Sequence, residues 1–168
     1  RLFEIAAVDS LEVGKNRLEA LGDVEESADL IRYYCHEIES HEGYTQAMNR
    51  LSPDEATWDV MRPYGVWAVI SPFNFPMALA AGPAGAALVA GNTVVIKPSN
   101  AGAMMAVRLY QALRQAGVPA GAAHLVTGSG PVAGDALVHH PDVDGITFTG
   151  SYEVGMGIHR SFTARYPK

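Results

Sequence analysis

The sequence has a single cysteine, Cys35, so it can close no internal disulfide. One thiol suits a reducing compartment, and the cytoplasm is the default expectation. There is no run of lysine or arginine, and a formal net charge of −6 argues against nucleic acid and against an anionic membrane surface as partners. Long hydrophobic runs are missing too. The most apolar stretch, around Met77 to Ala90, is too short and too broken by glycine and proline to span a bilayer. The six histidines show no spacing with carboxylates or cysteine that would ligate a metal, and His139-His140 falls at a helix end, where a cation is favourable. No metal is expected. With 168 residues and 48% hydrophobic side chains, one domain with a sizeable core is within reach, and a small molecule is the expected partner.

The chain opens on Arg1-Leu2-Phe3 with a helical pattern already running. That suggests a missing N-terminus, with any targeting peptide upstream. Leu21, Val24, Ala28, Ile31, Cys35 and Ile38 then recur at spacings of three and four, with charges between them. They predict one long amphipathic helix. Asp23 and Glu26 are expected to form a capping box at its start. Cys35 lies on the apolar seam, so it reads as a core residue and not as a nucleophile. From Gly43 to Pro63 the pattern breaks, with a turn at Ser52-Pro53-Asp54-Glu55 and an edge strand within Thr57 to Met61.

After Gly65 the rhythm is regular. Strands are predicted at 65–71, 93–97, 122–127 and 144–149, and helices at 77–90, 102–116, 131–139 and from 151. Gly117-Val118-Pro119 ends the second of these helices. Alternating strands and helices imply an α/β fold, a doubly wound, Rossmann-like parallel sheet with four strands, preceded by the long amphipathic helix. The small apolar residues of 77–90 would let that helix lie close to the sheet. Residues 1–42 read as N-terminal helices packing on that sheet, 43–63 as a connecting segment, and 64–168 as the α/β domain.

In such sheets ligands sit at the carboxyl ends of the strands. Asn74, pinned between Pro72 and Pro76, falls there. Its amide suits an oxyanion, or it closes an Asx-turn. Lys97 ends the second strand before Pro98, as a ligand for ribose and phosphate or as a solvated strand-end lysine. Phe148-Thr149-Gly150-Ser151 runs from a strand into a helix start, where free N–H groups and the Ser151 hydroxyl suit a phosphate. Equally, Ser151 caps the helix and Gly150 makes the turn. Gly128-Ser129-Gly130 with Gly134 has one residue too many for the dinucleotide fingerprint, and Gly150 with Gly155 lacks the Lys and Ser/Thr of a P-loop.

Four motifs, in order, carry a resemblance over practically the whole chain: Ser71-Pro72-Phe73-Asn74-Phe75-Pro76, Gly91-Asn92-Thr93-Val94-Val95-Ile96-Lys97-Pro98-Ser99, Ala116-Gly117-Val118-Pro119, and Phe148-Thr149-Gly150-Ser151. The chain resembles the aldehyde dehydrogenase superfamily. In that family a cysteine thiolate attacks an aldehyde, an Asn amide and a backbone N–H hold the oxyanion, hydride passes to NAD(P)+, and a Glu-activated water frees the acid. The resemblance implies Asn74 as the oxyanion amide and Lys97, with Ser99 and Asn100, at the adenosine ribose. It implies Ile70, Ser71, Pro72 and Phe73 as the wall beside the cofactor, Gly130 in the adenine-side loop, and Phe148, Gly150 and Ser151 as the pyrophosphate turn. Asn100 stands where many NAD-preferring members carry Glu, which leaves NAD and NADP both open.

The family's Glu-Leu-Gly-Gly-Lys-type segment and nucleophilic cysteine are expected beyond Lys168. The chain then reads as the front portion of a longer enzyme, inactive alone, with an uncovered sheet edge that favours aggregation of the isolated piece. Phe73 and the stretch Asp29-Leu30-Ile31-Arg32-Tyr33-Tyr34 are similar to glutamate-semialdehyde (1-pyrroline-5-carboxylate) dehydrogenases. The family also implies a homodimer or homotetramer of the full-length protein, assembled through residues 43–63 as a connecting or oligomerisation arm, with 64–168 as a dinucleotide-binding domain incomplete at its C-terminus and 1–42 packing on it. The alternatives are a non-catalytic nucleotide-binding or interaction module and, within enzymes, a phosphate-reducing relative such as glutamyl-phosphate reductase.

Overall fold

In the computed structural model, which describes residues 1–165, two helices come first, α1 (Leu2–Val13) and α2 (Arg17–Ser40). Gly14 ends α1 in the left-handed conformation, φ 77°, with its N–H on the Ser10 carbonyl. Asn16 starts α2, its Oδ1 accepting from the Leu18 and Glu19 N–H groups at 3.0 Å. The expected capping box at Asp23 and Glu26 does not form, because α2 is already under way there and Asp23 faces the interior. A buried carboxylate needs donors. Asp23 finds them 55 residues away, accepting from the Ala78 N–H at 2.9 Å and the Met77 N–H at 3.3 Å.

Residues 43–63 contain β1 (Thr45–Ala47) and β2 (Trp58–Val60), an antiparallel ribbon in which Thr45 faces Val60. The expected edge strand is therefore real, but it pairs with β1 and not with the main sheet. That sheet consists of β3 (Val66–Ser71), β4 (Thr93–Pro98), β5 (Ala123–Leu125) and β6 (Gly145–Phe148), all parallel, in the order β5-β4-β3-β6. β5 is shorter than the predicted 122–127. The connecting helices are α3 (Ala78–Val89), α4 (Ala103–Gln115) and α5 (Asp135–His139), with α6 (Tyr152–Thr163) after β6. A 3₁₀ turn, Asn100–Gly102, precedes α4, and one π-helical turn, Gly130–Gly134, precedes α5, where single helices are predicted. The chain steps from β3 to β4 to β5 and then crosses back to β6 beside β3. Right-handed crossovers place α3 and α4 on one face and α5 on the other.

The core lies between the sheet and α3 and α4, with α1 and α2 beyond. Val69, Val94, Ile96, Met105, Leu109, Ala80 and Ala84 are buried there with Ala6, Ala20 and Val24. The small alanines of α3 pack on the sheet as expected, and its two glycines face the other way. A Cβ on Gly82 would stand 2.9 Å from Leu30, and one on Gly85 2.8 Å from Ile31, so the close approach is to α2. Cys35 is half-buried on α2.

Side chains distant in sequence lock both ends of the sheet. At the amino ends of β3 and β4, Asn92 accepts from the Tyr64 and Gly65 N–H groups at 2.6 and 2.9 Å and donates to the Ala87 carbonyl at 3.1 Å. At the carboxyl ends, acids of the N-terminal helices cap the crossover helices: Asp23 caps α3, and Glu12 accepts from the Met104 and Met105 N–H groups of α4 at 2.7 and 3.1 Å. Each cap satisfies otherwise unpaired donors and sits favourably on the helix dipole. Among the described residues no helix is long and apolar enough to cross a membrane.

Candidate functional site

The point where the strand order reverses, between β3 and β6, is where open α/β sheets leave a crevice. A cleft of about 700 Å³ lies there, lined from the carboxyl ends of β3 (Ile70, Ser71, Pro72, Phe73), β4 (Lys97, Ser99, Asn100) and β6 (Phe148, Thr149, Gly150, Ser151) and from the loop after β5 (Gly128 to Pro131). All eleven residues assigned to the cofactor by resemblance line this one cleft. Asn74 does not; it is exposed on the turn just beyond Phe73. The lining also includes Asp135, Val138 and His139, and Val154, Ile158 and Ser161 of α6, which sequence reasoning missed. Their spacing of four and three residues, one helical face, was the available signal.

Lys97 is 5% exposed, so the solvated-lysine reading fails. Its Nζ donates to the Pro98 carbonyl at 2.9 Å and has no carboxylate partner among the described residues. Burial holds its ammonium below the usual lysine value. Beside it in the lining, the buried Ser71 Oγ has no hydrogen-bond partner. Two polar groups short of partners in a cleft invite a ligand with oxygen acceptors.

The β6–α6 turn separates the two readings of Ser151. Ser151 occupies the cap position of α6 but makes no side-chain cap bond, which leaves its hydroxyl and the first N–H groups of the helix for an anion. Gly150 does not have a positive φ. It is needed for space, since a Cβ there would lie 2.5 Å from Cζ of Phe148. Ser99, by contrast, is partly engaged, accepting from the Ala101 N–H at 3.3 Å. Asn74 makes no hydrogen bond among the described residues, so its amide closes no Asx-turn and is open to solvent.

These features fit a dinucleotide: a buried cation and hydroxyl for ribose or phosphate, a free helix N-terminus for pyrophosphate, and an apolar wall at Ile70 and Pro72. The described residues contain no group of three or more histidine, cysteine, aspartate or glutamate side chains able to hold a metal ion.

Sheet order and cleft position together define a Rossmann-like α/β domain. Its particular lineage follows from comparison with known proteins. The family model for the aldehyde dehydrogenase family matches residues 1–168, and the chain belongs to that family. It is 40% identical over 168 residues to an alpha-ketoglutaric semialdehyde dehydrogenase of Bacillus subtilis, covering 100% of this chain and 34% of that protein. It is 39% identical over 167 residues to a 1-pyrroline-5-carboxylate dehydrogenase of Anoxybacillus flavithermus, covering 99% of this chain and 32% of that protein. Among solved structures, an NAD-dependent aldehyde dehydrogenase from Sinorhizobium meliloti superposes with a TM-score of 0.89 at 34% identity, over 100% of this chain and 33% of that one. An NADP-dependent glyceraldehyde-3-phosphate dehydrogenase from Bacillus halodurans, complexed with NADP, gives 0.87 at 37% identity, over 96% of this chain and 34% of that one. The chain thus spans about a third of the length of these relatives.

Proposed function

We propose that the chain is the cofactor-binding portion of an NAD(P)-dependent aldehyde dehydrogenase that oxidises an aldehyde to a carboxylate. The observation that carries this reading is the single cleft at the switch point, where the residues assigned by resemblance meet around the buried Lys97 and the uncapped start of α6. NAD(P)+, when bound, supplies the hydride acceptor. Lys97 donates to ribose or phosphate oxygens, Ser151 and the first N–H groups of α6 hold the pyrophosphate, and Ile70 to Phe73 wall the nicotinamide side. The Asn74 amide, with no internal bond to break, donates to the carbonyl oxygen as it gains negative charge under attack by a thiolate. Cys35 is not that thiolate: it sits on α2 and is absent from the cleft. The nucleophilic cysteine and the general-base glutamate are assigned to the remaining two-thirds that the relatives possess.

Relatives named for alpha-ketoglutaric semialdehyde and for 1-pyrroline-5-carboxylate, together with Phe73 and the Asp29–Tyr34 stretch, support glutamate semialdehyde as the substrate. The arm, with Trp58, Met48, Leu51 and Met61 exposed, supports homo-oligomer formation through residues 43–63, and the single thiol supports a cytoplasmic location. The test is NAD(P)H formation by the full-length protein against a panel of semialdehydes. Glutamate semialdehyde should give the highest kcat/KM, and Asn74→Ala should lower kcat roughly 100- to 1,000-fold. Turnover by Asn74→Ala at the parent rate would refute the assignment.

A further inference from the structure

Asn74 is aimed by its backbone alone, since its side chain bonds to nothing in the described residues. What fixes that backbone lies outside the cleft. Gly14 and Asn16 are both engaged as caps, so the linker between α1 and α2 holds Lys15 in one place. The Lys15 side chain turns inward, 9% exposed, and its Nζ lies 3.7 Å from the centroid of the Phe75 ring, next in sequence to Asn74. The same Nζ stands 3.5 Å from Oδ2 of Asp23 and 3.8 Å from Oδ2 of Asp9, both carboxylates fully buried. Asp23 in turn holds the Met77 and Ala78 N–H groups on the far side of Pro76. One buried charge cluster therefore grips the chain just after Asn74, at Phe75 and again at the start of α3.

We propose that Lys15 is a positioning residue for the oxyanion amide, acting on the segment that follows Asn74 through the Phe75 ring and through Asp23 at the start of α3. This rests on the reading of Asn74 given above. A cation over an aromatic face is directional and gains strength out of water. The Asp23 caps fix the φ/ψ of Met77 and Ala78, and the Pro76 ring fixes its own φ. With its C-terminal flank held, residue 74 has less freedom to turn before substrate arrives, which favours oxyanion stabilisation.

The experiment measures steady-state kinetics and cofactor affinity of the full-length protein carrying Lys15→Met, Phe75→Leu, Asn74→Ala and the two pairings with Asn74→Ala. Lys15→Met should lower kcat roughly ten- to a hundredfold, the cost of a misplacement of about 1 Å, while the NAD(P)+ Kd stays at the parent value. Combined with Asn74→Ala it should add nothing further, because a misaimed amide and an absent one are equivalent. Phe75→Leu keeps Lys15 paired with both carboxylates and should show the same kcat loss and the same lack of additivity; it carries the test alone if Lys15→Met does not fold. Parent kcat in Phe75→Leu, or losses that multiply with that of Asn74→Ala, would overturn the positioning role while leaving the oxyanion assignment intact. Parent kcat in Asn74→Ala itself would overturn both.

Discussion

Replacing Asp9 by asparagine should make the protein more stable at neutral pH and bring no such gain in acid. Asp9 is fully buried on α1, and when ionised neither of its oxygens has a hydrogen-bond donor. Burial is the main cause that pushes its carboxyl up from 3.8 to about 6. The Lys15 ammonium works in the opposite direction, while the negative charges of Asp23 and Glu12 add to the rise. A rise of about two units corresponds to about 3 kcal/mol. The folded chain binds this proton more tightly than the unfolded one, so the contribution is fully present below 3.8 and is lost as the pH climbs through about 6. Urea unfolding of the parent and Asp9→Asn proteins, compared across that window, isolates the effect, because all other titrating groups are common to both. The difference in unfolding free energy should move by about 3 kcal/mol in favour of Asp9→Asn from the acid end to the neutral end. A difference that stays constant with pH, or moves the other way, would show that folding does not tighten the Asp9 proton.

Lys97→Met should raise the Kd for NAD(P)+ roughly ten- to a hundredfold, the loss of one hydrogen bond from a charged donor, measured by calorimetry. The same variant should be no less stable, since it removes a cation whose burial is unfavourable. Gly150→Ala sets a Cβ 2.5 Å from the Phe148 ring; the ring or the turn must shift at about 1–3 kcal/mol, read as weaker cofactor binding. Asn92→Ala leaves the Tyr64 and Gly65 N–H groups without their acceptor, and a loss of about 2–4 kcal/mol should appear as a lower thermal midpoint.

The sheet is legible in the sequence because β3 and β4 are short runs rich in valine and isoleucine, and all four strands are set off by glycine, proline and the intervening helices. The cleft was legible for the same reason: Ile70–Phe73, Lys97–Asn100 and Phe148–Ser151 each end a strand, and parallel strands end together. What stayed hidden was long-range. In sequence Asp23 reads as a local capping residue, since a capping box spans three residues and carries no sign of a helix start 55 residues on. Glu12 and Asn92 escaped in the same way, their partners being fixed only by tertiary contact. β1 was missed because a three-residue strand with little burial has almost no periodicity to detect. The glycines of α3 were seen, but their partner, α2, could not be inferred from α3 alone.

A crystal structure of the full-length protein with NAD(P)+ should show the dinucleotide lying across the switch-point cleft with its reactive end toward residue 74. The predicted result is adenosine ribose or phosphate oxygens within hydrogen-bond reach of Lys97 Nζ, the pyrophosphate at Ser151 and the start of α6, and the nicotinamide facing the Asn74 amide. A cofactor bound elsewhere on the chain, or one lying in the cleft with its nicotinamide turned away from Asn74, would contradict it.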